Sequence, residues 1–256
     1  MEGRSSKQNG LLQFDHKQFL QTFCSPAVDP SLFEELFLFP IRLSIQNIHL
    51  VKSLGGTLCS LSKGPYILYL LPFCDYFSDI IVLKTNESCV KEVERWLKKE
   101  ENALDDVPEA KFISDMGFSS LNLLEKEDNL RRKVKRVMIY DPSDENPAVP
   151  QKVDCLIVSY TLQYISGDQE SFRRNLMALT ANMKTGGVLM ACGTFNTHFF
   201  IVGEQKVSSF SYDESFLRKV LEEAGFTIKC LEKQRSKMLS EVAKYEEVWF
   251  VAAVKM

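Results

Sequence analysis

Apolar positions at Phe14, Phe19, Leu20 and Phe23 recur at helical spacing, and Pro26 and Pro30 end that pattern. Ser31 is placed to cap a second helix running from Leu32 into the region of Pro40, and a third helical stretch covers 42–52. After Gly55 and Gly56 the rhythm changes to short apolar runs that alternate with amphipathic stretches. Strands are expected at 57–61, 79–83, 110–114, 137–140, 153–160, 188–192, 226–231 and 247–254. Between them, helices are expected at 65–74, 87–100, 121–135, 172–183 and 213–224. The run 153–160 is unbroken in its apolar character, the mark of a strand covered on both faces. In 87–100, Val90, Val93 and Leu97 form one face with Trp96 beside it. Lys184-Thr185-Gly186-Gly187 reads as a glycine stop after the helix 172–183, and 199–210 as a hairpin turning at Gly203-Glu204.

Strands alternating with helices at this cadence predict an α/β, doubly wound, mostly parallel sheet with right-handed crossovers. Such sheets bind ligands beyond the carboxyl ends of their strands, near the point where the strand order reverses. Any site therefore belongs on the loops after Leu61, Leu83, Ile139, Ser159 and Cys192. The helices before Gly55 have no strand partners and are expected to fold across that mouth as a lid. The chain divides into a loose N-terminus (1–13), a helical lid (14–54) and a Rossmann-like domain (55–256).

Composition narrows the function. With 45% apolar and 25% charged residues in 256, the chain is globular rather than disordered or collagen-like. Thirty-one basic and 34 acidic residues, net -3, argue against a dedicated nucleic-acid binder. The basic string 131–136 follows Glu125, Glu127 and Asp128 and reads as a solvated amphipathic face. Seven cysteines without a CxxC pair, mostly inside apolar runs, point to buried thiols in a reducing compartment rather than to disulfides or zinc. The first ten residues lack the apolar core of a signal peptide, and no run reaches the ~18 apolar residues of a membrane helix. The expectation is a cytoplasmic monomer with a small-molecule partner, no metal, no nucleic acid and no membrane.

The string Lys63-Gly64-Pro65-Tyr66, the strand Asp79-Ile80-Ile81-Val82 and the run Arg95-Trp96-Leu97-Lys98-Lys99-Glu100 resemble the nicotinamide, phenylethanolamine and indolethylamine N-methyltransferase family. So do Ile201-Val202-Gly203-Glu204-Gln205-Lys206-Val207-Ser208-Ser209 and Glu223-Ala224-Gly225-Phe226-Thr227-Ile228. The likeness runs from about Phe14 to Val254. It implies a Rossmann-like class I methyltransferase sheet with an antiparallel last strand, S-adenosylmethionine as cofactor, and methyl transfer to an amine or pyridine-type nitrogen. A neutral nitrogen lone pair needs alignment and exclusion of water more than a general base, so no catalytic residue is assigned.

The same resemblance locates departures. Where the family reads D-x-G-x-G-P, this chain reads Ser60-Leu61-Ser62-Lys63-Gly64-Pro65. Ser60 stands for the acidic residue that receives the cofactor's ammonium group, and Ser62 for a glycine that lets the backbone approach the ligand. Lys84, followed by Thr85, stands where an acidic residue accepts both ribose hydroxyls. Charge-assisted hydrogen bonds contribute roughly 1.5–3 kcal/mol each, so losing both weakens binding on the order of 10²- to 10⁴-fold. Family tyrosines in the lid fall on Phe19, Phe23 and Cys24, and those before the GEQK string on Phe199 and Phe200. A substrate-facing carboxylate falls on Gly193, near Thr197 and His198, whereas Asp141, Ser208 and Ser209 persist.

Candidate cofactor contacts are thus Phe19, Phe23, Ser60, Ser62, Gly64, Pro65, Lys84, Thr85, Glu87 and Asp141. The candidate substrate pocket is Gly193, Thr197, His198, Phe199, Phe200, Ser208 and Ser209. Several alternatives stay open. Glu87 is placed to supply a substitute ribose carboxylate, and Lys84 suits a phosphate, though no Tyr-x-x-x-Lys pair supports a reductase. Asp141 precedes Pro142 and suits a plain turn, and a lone His198 suits a surface role. The expectation is a family fold with weakened or lost catalysis. The alternative is a non-catalytic protein that binds a flat apolar ligand or a protein partner, the pocket in the latter case filled by its own side chains.

Overall fold

The computed structural model describes residues 16–26, 29–101, 103, 123–143, 151–202, 205–207, 209–237 and 239–256. The expected strand at 110–114, Phe14, the hairpin tip at Gly203-Glu204 and Ser208 lie outside the described residues.

Seven strands build the main sheet: β1 (Thr57–Ser62), β2 (Asp79–Lys84), β3 (Val134–Ile139), β4 (Val153–Ser159), β5 (Met183–Phe195), β8 (Phe226–Arg235) and β10 (Glu247–Lys255). Their order is β3-β2-β1-β4-β5-β10-β8. β1 to β5 pair with one another in parallel, and β10 inserts antiparallel between β5 and β8. The order reverses between β1 and β4, which puts the switch point at their carboxyl ends. A second, three-stranded sheet of β6 (Phe199–Val202), β7 (Gln205–Val207) and β9 (Ala243–Lys244) stands beside it, with β6 and β7 paired as the expected antiparallel hairpin.

Alternate residues of each strand feed the two faces. Leu58, Ile80 and Ile157 belong to one apolar cluster; Cys59, Leu61, Ile81 and Leu156 belong to the other. The first cluster takes Val93 and Trp96 of α3 (Glu87–Leu97) and Leu130 of α4 (Leu123–Lys133). It also takes Phe23 from the end of α1 (His16–Phe23) and Leu32, Phe33, Leu36, Phe37 and Ile41 of the next helical rod. The second cluster takes Phe172, Leu176 and Leu179 of α6 (Gln169–Thr180) and Phe216, Leu217 and Val220 of α7 (Glu214–Glu223). A short α5 (Leu162–Ile165) links β4 to α6. Six of the seven cysteines are buried as free thiols, and Cys230 is half-buried.

Four elements differ from the sequence expectation, each for a local reason. The second helix does not stop near Pro40. Pro30–Leu32, Phe33–Leu38 and Phe39–Gln46 run on as one rod, α2. Its middle widens by a residue per turn, with the Phe39 amide donating to Glu34 O, which accommodates the proline ring that an α-turn would clash with. The expected helix 65–74 is instead a 3₁₀ turn at Leu68–Leu70 followed by further turns, because Pro72 lacks the donor a continuing helix needs. β3 begins at Val134, inside the expected helix 121–135; Lys135 and Arg136 are exposed, as suits an edge strand. Lys184 to Gly187 lie within β5 as a bulge, since Val153 pairs with Met183 but Cys155 with Val188. α6 itself closes earlier, at Thr180, and opens on a capping box between Asp168 and Ser171.

A buried cavity at the switch point

Strand register brings four residues into one row at the carboxyl ends. Lys84 of β2 pairs with Ser62 of β1, Ser62 with Ser159 of β4, and Ser159 with Cys192 of β5. Above Ser62, Ser159 and Cys192 lies a cavity of about 130 Å³. Phe19 and Phe23 of α1 and Leu36, Phe37 and Ile41 of α2 line its lid side; Tyr66, Tyr69, Tyr160, Tyr164 and Phe200 line its flanks. The rings form a chain: Phe19–Phe23 at 5.2 Å, Phe23–Phe200 at 6.1 Å and Phe200–Tyr164 at 5.6 Å between centroids.

Lys84 is completely buried. Its Nζ donates to Ser62 Oγ at 2.6 Å, Gly64 O at 2.7 Å and Tyr66 O at 3.2 Å, which uses the three donors an ammonium has. Burial pushes its pKa down to about 7. The lysine thus ties the end of β2 to the loop that follows β1. Ser60, also fully buried, shares a 2.5 Å hydrogen bond with the Tyr69 hydroxyl. Gly64 faces the lid: a Cβ there would lie 2.3 Å from Cε1 of Phe19. The surviving loop glycine therefore admits an aromatic ring of the protein itself.

Of the other sequence candidates, Pro65 is buried in the same loop and Thr85 is half-buried after β2. Neither lines the cavity. Glu87 is exposed and pairs with Lys91 at 3.0 Å on the outer face of α3. Asp141 is exposed and accepts from the Ser143 amide and hydroxyl at 2.8 and 2.6 Å, an Asx turn. Gly193 sits under Trp249 and Gln163, where a Cβ would meet Cζ2 at 2.7 Å and Oε1 at 2.8 Å; its lack of a side chain makes room for packing. Thr197 is buried in a network with Thr194 (2.7 Å), which bonds Gln163 in turn. His198 is exposed, Phe199 lies under Lys206 Nζ at 4.8 Å, and Ser209 is half-buried with a hydroxyl that has no partner among the described residues. Phe19, Phe23, Ser62, Gly64 and Phe200 are the candidates brought together around the cavity.

Sequence reasoning missed the flanking tyrosines and Lys63. Tyr66, Tyr69 and Phe73 carry a signal, at i, i+3 and i+7, immediately after the loop glycine. Lys63 lines the cavity with its Nζ 3.9 Å from the Tyr164 ring centroid, and burial pushes its pKa down to about 8. Tyr160 takes a left-handed backbone (φ 54°), a strained conformation for a tyrosine, and its buried hydroxyl makes no hydrogen bond among the described residues.

The profile of the NNMT/PNMT/TEMT family matches residues 4–256. Nicotinamide N-methyltransferase of Sus scrofa is 28% identical, over 99% of this chain and 97% of that protein. Indolethylamine N-methyltransferase of Oryctolagus cuniculus is 28% identical over 93% and 92% of the two chains. Phenylethanolamine N-methyltransferase of Macaca mulatta is 25% identical over 90% and 83%. Among solved structures, magnesium protoporphyrin IX methyltransferase of Synechocystis PCC 6803 with bound SAM superposes with a TM-score of 0.57 at 12% identity, covering 94% of this chain and 90% of that one. The glycopeptide N-methyltransferase MtfA complexed with SAM gives 0.52 at 11%, covering 85% and 94%. At those identities the likeness is one of fold. Matched along its whole length and built on the class I methyltransferase sheet, the chain belongs to the NNMT/PNMT/TEMT family of S-adenosylmethionine-dependent amine N-methyltransferases.

Proposed function

We propose that this family member has closed its S-adenosylmethionine site with its own side chains, and that the remaining cavity binds a flat apolar ligand without methyl transfer. The observation that carries this reading is the buried Lys84. Ribose hydroxyls call for an acceptor at the end of β2. What stands there is a nitrogen already engaged with Gly64 O, Tyr66 O and Ser62 Oγ. Three further observations support it. Ser60 spends its hydroxyl on Tyr69, and the Phe19 ring occupies the approach to Gly64. Glu87 points to solvent, so it supplies no replacement carboxylate. The described lining residues include no aspartate, glutamate or histidine to receive a cationic sulfonium and its ammonium group. The residues present at the switch point do not fit the cofactor.

What remains is an apolar chamber with aromatic walls, a setting that stabilises a planar guest by burial of its faces and by ring stacking. Incubation of the full-length protein with radiolabelled S-adenosylmethionine and nicotinamide, pyridines or arylalkylamines is expected to give no methylated product above a protein-free control. Methylation of any of these amines at a steady, enzyme-dependent rate would overturn the proposal.

A further inference from the structure

We propose that the cavity takes a small aromatic molecule of one or at most two fused rings, and that Phe19 sets this limit. This rests on the reading above that the site no longer takes S-adenosylmethionine. Volume carries the inference. The cavity measures about 130 Å³. Apolar cavities of about 150 Å³ lined by Leu, Ile and Phe admit benzene, whereas sites for drug-sized ligands run to about 300–1,000 Å³. A nucleoside with an amino-acid tail belongs to the larger class, and a single ring to the smaller.

The lining suits such a guest. Phe23 and Tyr164 both stand at 62° to Phe200, so a flat ring meets faces and edges together. Three polar side chains of the wall are engaged within the protein. Ser62 Oγ accepts from Lys84 Nζ at 2.6 Å, Ser44 Oγ donates to Ile41 O at 2.8 Å, and the Tyr69 hydroxyl shares a 2.5 Å hydrogen bond with Ser60. A guest is therefore held chiefly by burial of its apolar surface, which stabilises in proportion to area until the space runs out. Phe19 marks where it runs out. Its ring and Gly64 both line the cavity, and the ring lies so close to the loop that a Gly64 Cβ would be 2.3 Å from Cε1. Phe19 is itself only half-buried, so cutting it back opens the chamber toward the loop after β1 without removing a core side chain.

The test is calorimetric titration of the full-length protein at neutral pH with toluene, indole and acridine, which are all uncharged there. S-adenosylhomocysteine is run in parallel. The parent protein is expected to bind indole at least as tightly as toluene, and acridine more weakly than indole by roughly tenfold or more, the effect of forcing bulk into a filled interior. Phe19→Ala is expected to raise acridine affinity relative to indole by roughly tenfold or more. Phe19→Leu, a smaller cut, is expected to shift the order in the same direction and serves if the alanine variant does not fold. Acridine that binds the parent as tightly as indole overturns the inference. So does a Phe19→Ala protein that is folded by circular dichroism and keeps the parental order, or binding of none of the three. Micromolar binding of S-adenosylhomocysteine would instead overturn the reading of a closed cofactor site, and the order of acridine and indole would still decide the size limit.

Discussion

Lys84 stands fully buried at the carboxyl end of β2, at the mouth of the sheet. A buried ammonium on an aliphatic stem is tolerated because two carbonyls and a hydroxyl receive its protons. Its pKa is pushed from 10.5 down to about 7 by burial. Between those values the unfolded chain holds a proton that the folded chain has released, so stability rises with pH across that window. Below about 7 both states are protonated, and this group's contribution is flat at its least favourable level. Lys63 acts with the same sign over a narrower window, from about 8 to 10.5. Lys84→Met, close in length and without a titrating proton, is expected to give a shallower rise of urea-unfolding free energy between about pH 7 and 9.5 than the parent. Equal slopes in the two proteins would show that Lys84 is not titrating in that range. This residue is legible from the sequence because strand ends are legible: an apolar run of fixed length puts its last residue at the mouth. The placement of Lys63 at the cavity wall is not, because a loop lysine reads as solvated until the rings around it are placed.

At the scale of elements, α2 docks along the lid side of the cavity. Glu35, on its inner side, is buried and accepts from the Tyr245 hydroxyl at 2.7 Å and the Lys237 amide at 2.9 Å. That pair of bonds ties the helical rod to the chain around β9, just before β10. Glu35→Ala strands a buried hydroxyl and an amide and is expected to cost about 2–3 kcal/mol in urea unfolding. Glu35→Gln keeps one acceptor and is expected to lose roughly half as much. A Glu35→Ala protein within about 0.5 kcal/mol of the parent, the usual range for surface changes, would mean that α2 is held by apolar packing alone. The hydrophobic pattern places β1, β2, β4, α3 and α7 to within a few residues, because each buries a face and so shows a period. On α3 the buried residues are Cys89, Glu92, Val93 and Trp96, a face rotated from the expected one by the exclusion of Val90 and Leu97 to its margins. β3 imitates a helix because an edge strand keeps polar residues, and the bulge in β5 is hidden because its glycines imitate a helix stop. Which way the unpartnered helices before Gly55 pack depends on surfaces that no local period encodes.

For the whole molecule, the family scaffold sets the position of the chamber and the side chains set its lining. The switch point between β1 and β4 opens a cleft in any sheet of this order. Here side chains converge on the cleft from three directions: Lys84 from β2, Tyr69 from the chain after β1, and Phe19 from the lid. The chamber they leave is lined mainly by apolar and aromatic side chains. Among the described residues no helix is long and apolar enough to cross a membrane, and no cluster of three metal-ligating side chains occurs. The proposed function rests on this chamber. Calorimetric titration of the full-length protein with S-adenosylhomocysteine tests its closure most directly. No heat of binding up to millimolar ligand is the predicted result; a dissociation constant in the micromolar range would contradict it.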